Sequence, residues 1–559
     1  MRSLITIFLT ISCTLYAQVL DNDETVTRAD SLRGMLTPLR TCFDVTHYAL
    51  DVKIDTTTRR ISGSNTITLV AMQDFTRLQI DLFDHYAIDR IEWKGKKLKF
   101  SREFNAVFVE FPETIRKSSR QSFTVFYSGT PIVAKNPPWD GGFIWSRDKS
   151  GNPWIAVACQ GFGASSWWPN KDHQSDEPDS MLISITVPKG LTNVSNGRLR
   201  KQKDVGSGWT RFDYAVTYPI NNYNVTFNVG KFAYFGETYT SYDGQKLTCD
   251  YYVMPYNLEK AKVQFAQVKG MMDAFEKSFG KYAFYRDGYK LVESPHLGME
   301  HQSAVAYGNN YVNGYKGTGQ AAEGLLFDFI IIHETAHEWW GNAVGSNDLA
   351  DMWIHESFGN YAETIYLEGV YDYPTSLRYI NANKTLVKND RPIIGPRGVN
   401  KEGSGDMYPK GGLMLNTLRS VINNDKLWFE ILRGIQDTYR YKTIDADSIF
   451  NYVRLKTGTD YDYFFDQYLK HKALPKLDVA LFKKGSTTTM RYRWTADVKS
   501  FRMPIRVTTT KDRYEWVTPT TEWQMMKLEN LDPRDFKIEE DRFYVDKNIY
   551  WMFLDERLQ

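Results

Sequence analysis

The stretch Ile330-Ile331-Ile332-His333-Glu334-Thr335-Ala336-His337-Glu338-Trp339-Trp340-Gly341-Asn342 sets His-Glu-x-x-His inside an apolar run. Leu325, Leu326, Phe329, Ile330, Ile332, Ala336 and Trp340 recur at helical spacing, which predicts a buried helix that stops at Gly341-Asn342. On such a helix His333 and His337 stand one above the other, where two imidazoles can share a zinc ion and Glu334 can face a water beside it. The alternative is a pair of core histidines satisfied by hydrogen bonds. A catalytic zinc wants a third protein ligand and keeps one position for water. The second helical pattern, Trp353 to Gly369, offers Glu356 as that ligand. Glu363, two turns on, shares its face. It either orients a zinc-bound imidazole from behind or is an ordinary, partly exposed helix carboxylate.

These helices need a frame. With 559 residues the chain has room for about three or four domains. The 69 basic and 67 acidic residues nearly balance, and no clustered basic excess points to a nucleic-acid surface. From Cys42 to about residue 235 strands dominate: Tyr48 to Asp55 alternates apolar and polar, and Ile61 to Val70, Leu78 to Leu82, Ala106 to Phe111, Ser122 to Tyr127, Met181 to Gly190 and Tyr223 to Val229 follow suit. Residues 18 to about 40 read as a polar lead-in arm. Lys260 to Phe279 is an amphipathic helix, Tyr289 to Glu293 a strand, and further helical patterns run over Gly412–Ile422 and Ile449–Lys456. From about residue 476 alternation returns in five to seven short strands, which predicts a β-sandwich.

His333-Glu-x-x-His337 followed by Glu356 resembles the zinc signature of the gluzincin aminopeptidases, the group of aminopeptidase N and leukotriene hydrolase. Three further motifs support the resemblance in the same chain order. Leu297-Gly298-Met299-Glu300-His301 is similar to the Gly-x-Met-Glu-Asn exopeptidase motif, Met407-Tyr408-Pro409-Lys410-Gly411 to the Tyr-x-Lys-Gly motif, and Gln160, ahead of Ala164-Ser165-Ser166-Trp167-Trp168-Pro169, to the amine-contacting glutamine. The chain departs from the pattern at Ser165, where arginine is usual, at Asn170, at Leu297, and at His301 and His355, where asparagine is usual. The two rings either tune specificity or pack as neutral residues.

The resemblance implies a saddle-like all-β N-terminal domain over residues 18–236, a thermolysin-like α+β zinc catalytic domain over 237–475 and a small C-terminal β-sandwich over 476–559, without the helical C-terminal domain of many relatives. It implies one zinc ion per chain on His333, His337 and Glu356, with Glu334 as general base and Tyr408 as oxyanion donor. Gln160, Gly298, Met299 and Glu300 would bind peptide substrates with a free N-terminus. The competing readings are a zinc endopeptidase, which would not need Glu300, and a peptide-binding protein of weak activity.

Met1 to Ala17 reads as a secretory signal, one basic residue before a short apolar run, so the protein is expected to be exported, periplasmic or secreted, with lipidation at Cys13 as the lesser alternative. No other apolar run reaches the ~18 residues of a spanning helix, Asp328 interrupting the best candidate. Cys42, Cys159 and Cys249 are too few for a disulfide framework and wrongly spaced for a metal cluster, so they are expected to be small buried residues.

Overall fold

The structure, a computed structural model, describes residues 25–553. The expected signal segment and Cys13 lie outside them. No described helix is long and apolar enough to cross a membrane.

The N-terminal half is β-rich. An eight-stranded sheet takes the order Arg198–Gly206, Trp209–Val216, Ser180–Pro188, Phe43–Asp55, Arg60–Ala71, Arg120–Gly129, Tyr86–Trp93, Lys96–Lys97. Phe43–Asp55 and Ser180–Pro188 pair in parallel, from His47 opposite Ser180 to Lys53 opposite Thr186. A three-stranded and a four-stranded sheet complete this half, and the latter contains Pro153–Ala158, which leads straight to Gln160. Strand alternation fixes which faces meet: Tyr48, Leu50, Val52 and Ile54 are buried in one cluster with Ile67, Leu69, Val125 and Ile183.

The polar arm is more ordered than its composition suggests. Arg28–Gly34 is helical because Thr27 and Asp30 cap each other reciprocally.

A five-stranded mixed sheet opens the catalytic half, in the order Ala233–Thr240, Lys246–Val253, Tyr289–Glu293, Val305–Tyr307, Gly298–Met299. The two-residue strand Gly298–Met299 forms its edge, with Gly298 opposite Tyr307 and Met299 opposite Ala306. Helices Gln267–Phe279, Phe329–Ala336, Trp353–Val370 and Pro409–Ile422 pack beside it around a core that includes Ile331, Trp339, Trp340, Trp353 and Trp428. The one helix expected over 260–279 is two, Leu258–Gln264 and Gln267–Phe279.

After residue 475 a four-stranded sheet (Gln524–Glu529, Thr487–Thr495, Lys476–Lys484, Asp546–Phe553) and a separate hairpin (Ile505–Thr510, Arg513–Val517) follow. Their apolar residues Leu477, Val479, Trp494 and Met503 continue the core of the catalytic helices without a break. Cys42, Cys159 and Cys249 are buried and unpaired.

Candidate functional site

The histidine helix is shorter than its periodicity suggests, Phe329–Ala336, and both ends have a local cause. Asp328 caps the start by accepting from the backbone of Ile330 and Ile331, while Tyr307, Gln264 and Asn309 donate to its carboxylate. Leu325 and Leu326 therefore fall outside the helix and are exposed. At the other end the chain turns so that the Trp340 carbonyl faces back to His337 Nδ1 at 2.9 Å. A carbonyl can only accept, so Nδ1 carries the proton and Nε2 presents its lone pair. Glu338 pins the turn, accepting from Ser303 N at 2.7 Å and the Tyr282 hydroxyl at 2.8 Å.

His333 is set in the same way. Its Nδ1 lies 2.7 Å from Glu363 Oε1, which leaves Nε2 to face His337 Nε2 at 3.3 Å. Glu363 is fully buried, and Tyr379 and Asn360 also donate to it, so it is not an ordinary, partly exposed helix carboxylate. Glu356 is on the helix Trp353–Val370, its Oε2 3.5 Å from His337 Nε2 and 3.8 Å from His333 Nε2. That oxygen is buried without a hydrogen-bond partner. Two imidazole lone pairs and an orphaned carboxylate oxygen, within 4.8 Å of one another, form a donor set that suits zinc. Gly359 keeps the space clear, since a Cβ there would lie 3.0 Å from His337 Cε1.

A second group overlaps the first. Oxygens of Glu300 and Glu334 and a nitrogen of His337 also lie within 4.8 Å of one another. Glu334 leans over the edge strand, and a Cβ on Gly298 would meet its Oε1 and Ile330 Cγ2 at 2.7 Å, so the glycine leaves room for the carboxylate. Burial pushes the Glu334 carboxyl up to about 7, with His333 opposing and Glu356 adding to the rise. Burial, then Glu356 and Glu334, raise Glu300 well above the carboxylate range. Glu356 is held below it by His337 and His333 against burial.

From the β-rich half, Gln160 Nε2 donates to Glu300 Oε1 and, at 3.4 Å, to Glu356 Oε1. Tyr223, from the turn Asn222–Asn224, donates to Glu300 Oε1 at 3.1 Å and was not legible in the sequence. Met299 packs among the apolar residues of the β-rich half. Tyr408 stands at the start of Pro409–Ile422, its ring stacked on His333 at 6.1 Å. The rest of its motif has a plain structural sense. Lys410 donates to the carbonyls of His471 and Lys472, and a Cβ on Gly411 would strike Ser357 Oγ at 1.9 Å, so the helix can sit directly on the Glu356 helix. Ser357 Oγ donates to Met407 O at 2.7 Å and fixes the residue before Tyr408. Burial lowers His355 to about 3 and His301 well below the usual range, so burial disfavours charge on either ring.

Removing the Glu363 carboxylate should loosen a metal on His333 while leaving the three donors in place. Glu363→Ala is expected to weaken zinc binding by about 10–100-fold. Competition with a chromogenic chelator measures it, and an unchanged affinity would show that Glu363 does not set the His333 ring.

The chain is similar to known proteins. The peptidase family M1 domain matches residues 263–468, and the peptidase M1 N-terminal domain matches residues 45–223, together more than half of the chain. Human glutamyl aminopeptidase is 27% identical over 381 residues, 61% of this chain and 38% of its own length. Mouse endoplasmic reticulum aminopeptidase 1 is 24% identical over 51% of this chain and 32% of its own. The chain thus spans about a third of the length of these relatives. In fold it is similar to an M1 zinc metallopeptidase of Deinococcus radiodurans, with a TM-score of 0.65, 19% identity and coverage of 78% of this chain and 94% of that one. With both family domains matched in order, and the His333, His337 and Glu356 donors inside the second, this chain belongs to peptidase family M1.

Proposed function

We propose that the protein is a zinc-dependent aminopeptidase that removes N-terminal residues from peptides. The observation that carries this reading is the pairing of two groups at one buried site: the donors His333, His337 and Glu356, and the carboxylate of Glu300 beside them, reached by Gln160 from the other half of the chain.

One zinc ion per chain on the three donors would supply a Lewis acid and make a water acidic enough to attack near neutral pH. Glu334 takes the proton of that water and returns it to the departing amine nitrogen. The Tyr408 hydroxyl donates to the carbonyl oxygen as it gains charge. Glu300, with Gln160 and Glu356, receives the cationic α-amine of the substrate. Gly298 and Met299, at the edge of the five-stranded sheet, offer free backbone to an extended peptide. Glu363 keeps His333 in the tautomer that a metal needs.

The test is hydrolysis of matched aminoacyl arylamides with a free or an acetylated amine, with and without a chelator. Only the free-amine substrate should turn over, and only without chelator. Glu300→Ala should raise KM for it, because a cation loses its buried partner. Efficient wild-type cleavage of the acetylated series, or of internal peptide bonds, would replace the reading by that of an endopeptidase.

A further inference from the structure

His355 stands next to the donor Glu356 on the helix Trp353–Val370 and is fully buried. Its Nε2 lies 3.1 Å from the backbone nitrogen of Ser346. A backbone N–H can only donate, so Nε2 presents its lone pair and the ring carries its proton on Nδ1. Nδ1 lies 3.5 Å from the hydroxyl oxygen of Tyr223. A protonated Nδ1 can only donate there. The Tyr223 oxygen therefore accepts from the ring, and its own proton goes on to Glu300 Oε1 at 3.1 Å. The direction of every bond is set from one end: the Ser346 amide to His355, His355 to Tyr223, Tyr223 to Glu300.

The same stretch, residues 341–346, also holds the backbone of Glu300. Asn342 Nδ2 donates to Glu300 O at 2.9 Å, and Asn224 Nδ2, one residue beyond Tyr223, donates to Asn342 Oδ1 at 2.7 Å. That second bond docks the turn Asn222–Asn224 of the β-rich half on this stretch and keeps the Tyr223 hydroxyl between His355 and Glu300. Gly341 leaves the room, since a Cβ there would lie 3.1 Å from His355 Nδ1. Tyr223 and Ser346 are buried as well, so solvent does not reach a partner left over. Gln160 also donates to Glu300 Oε1. With both lone pairs of Oε1 taken, Oε2 is left to receive a cation.

We infer that His355 is a positioning residue of the amine site: by donating to Tyr223 it points the Tyr223 proton at Glu300 Oε1 and so presents Oε2 of that carboxylate to the α-amine of the substrate. It acts through Tyr223 and not on the reacting atoms. This rests on the aminopeptidase reading.

Two amides of different reach test it. His355→Asn sets its Nδ2 where Nδ1 was and keeps a donor for Tyr223. His355→Gln reaches the Ser346 amide instead and leaves Tyr223 without its donor. On the free-amine arylamide that the wild type cleaves best, His355→Gln should raise KM by about 5–10-fold, the loss of one hydrogen bond, and leave kcat within about twofold. His355→Asn should bring KM back to within about twofold of wild type, which a general loss of packing would not do. With Tyr223→Phe already in place, His355→Gln should add nothing to KM, because the hydroxyl it acts through is gone. An unchanged KM in His355→Gln, or the same rise in the Tyr223→Phe background, would overturn the assignment and leave the aminopeptidase reading standing. So would a loss of zinc from His355→Gln with KM unchanged in the reloaded protein, which would place the effect at Glu356. If the zinc-loaded wild type hydrolyses no free-amine arylamide, the aminopeptidase reading itself falls, and this inference with it.

Discussion

Glu334→Gln is expected to keep zinc at one ion per chain and to lose kcat by about 10²–10⁴-fold, the usual share of a general base. The two side chains have the same shape, and Gly298 leaves the room that either needs beside the edge strand. Glutamine can still hydrogen-bond a water but cannot take its proton, so KM should change little. The structure makes the test necessary, because Glu334 belongs to a second set of possible metal donors with Glu300 and His337. Ligand chemistry favours the first set. It uses both imidazoles, each with its Nδ1 engaged and its Nε2 lone pair directed inward, and it satisfies the orphaned Glu356 Oε2. In the second set His333 has no part and two carboxylates must share one small space. Metal content decides between them. If Glu334→Gln loses zinc as readily as Glu356→Ala, Glu334 is a ligand and the base must be sought elsewhere.

The parts of the site legible in the sequence are those whose geometry compresses into spacing. His333 and His337 are four residues apart on one helix, and the pattern of Trp353 to Gly369 brings Glu356 and Glu363 to a common face. Glu363 was ambiguous because spacing says nothing of burial. Its saturation by His333, Tyr379 and Asn360 is a three-dimensional fact. The helix limits misled for a related reason. Apolar recurrence continued from Leu325 to Trp340, yet Asp328 starts the helix and a turn toward His337 ends it. Polar capping and turn chemistry outranked periodicity. The alternating strands of the first half were readable, since one face of each is buried. What pattern could not reveal was Tyr223, 77 residues before Glu300 and on a short turn. Nor could it reveal Gly359, whose missing Cβ matters only because His337 lies over it. The expected β-sandwich rested on alternation alone. Alternation identifies strands but not the neighbour on which their apolar face rests, here the core of the catalytic helices.

Tyr408→Phe should leave KM nearly unchanged and lower kcat by about 10²–10³-fold, because the lost hydrogen bond becomes strong only as the carbonyl oxygen gains charge. The phenyl ring keeps the stacking against His333, and Lys410 and Ser357 still hold the helix start, so folding should survive. Burial, with Glu356, Glu402 and Glu300 adding, raises the Tyr408 pKa well above the usual value. The sign matters. A raised pKa keeps the hydroxyl protonated and able to donate through the alkaline limb, so the ratio of wild-type to variant kcat should stay flat across that range. Tyr223→Phe is the internal control. Its hydroxyl donates to Glu300, and its loss should act on the amine site and raise KM instead. Steady-state kinetics of both zinc-loaded variants on one free-amine substrate separate the two tyrosines. An unchanged kcat in Tyr408→Phe, with a fall in Tyr223→Phe, would move the oxyanion donor to the turn of the β-rich half.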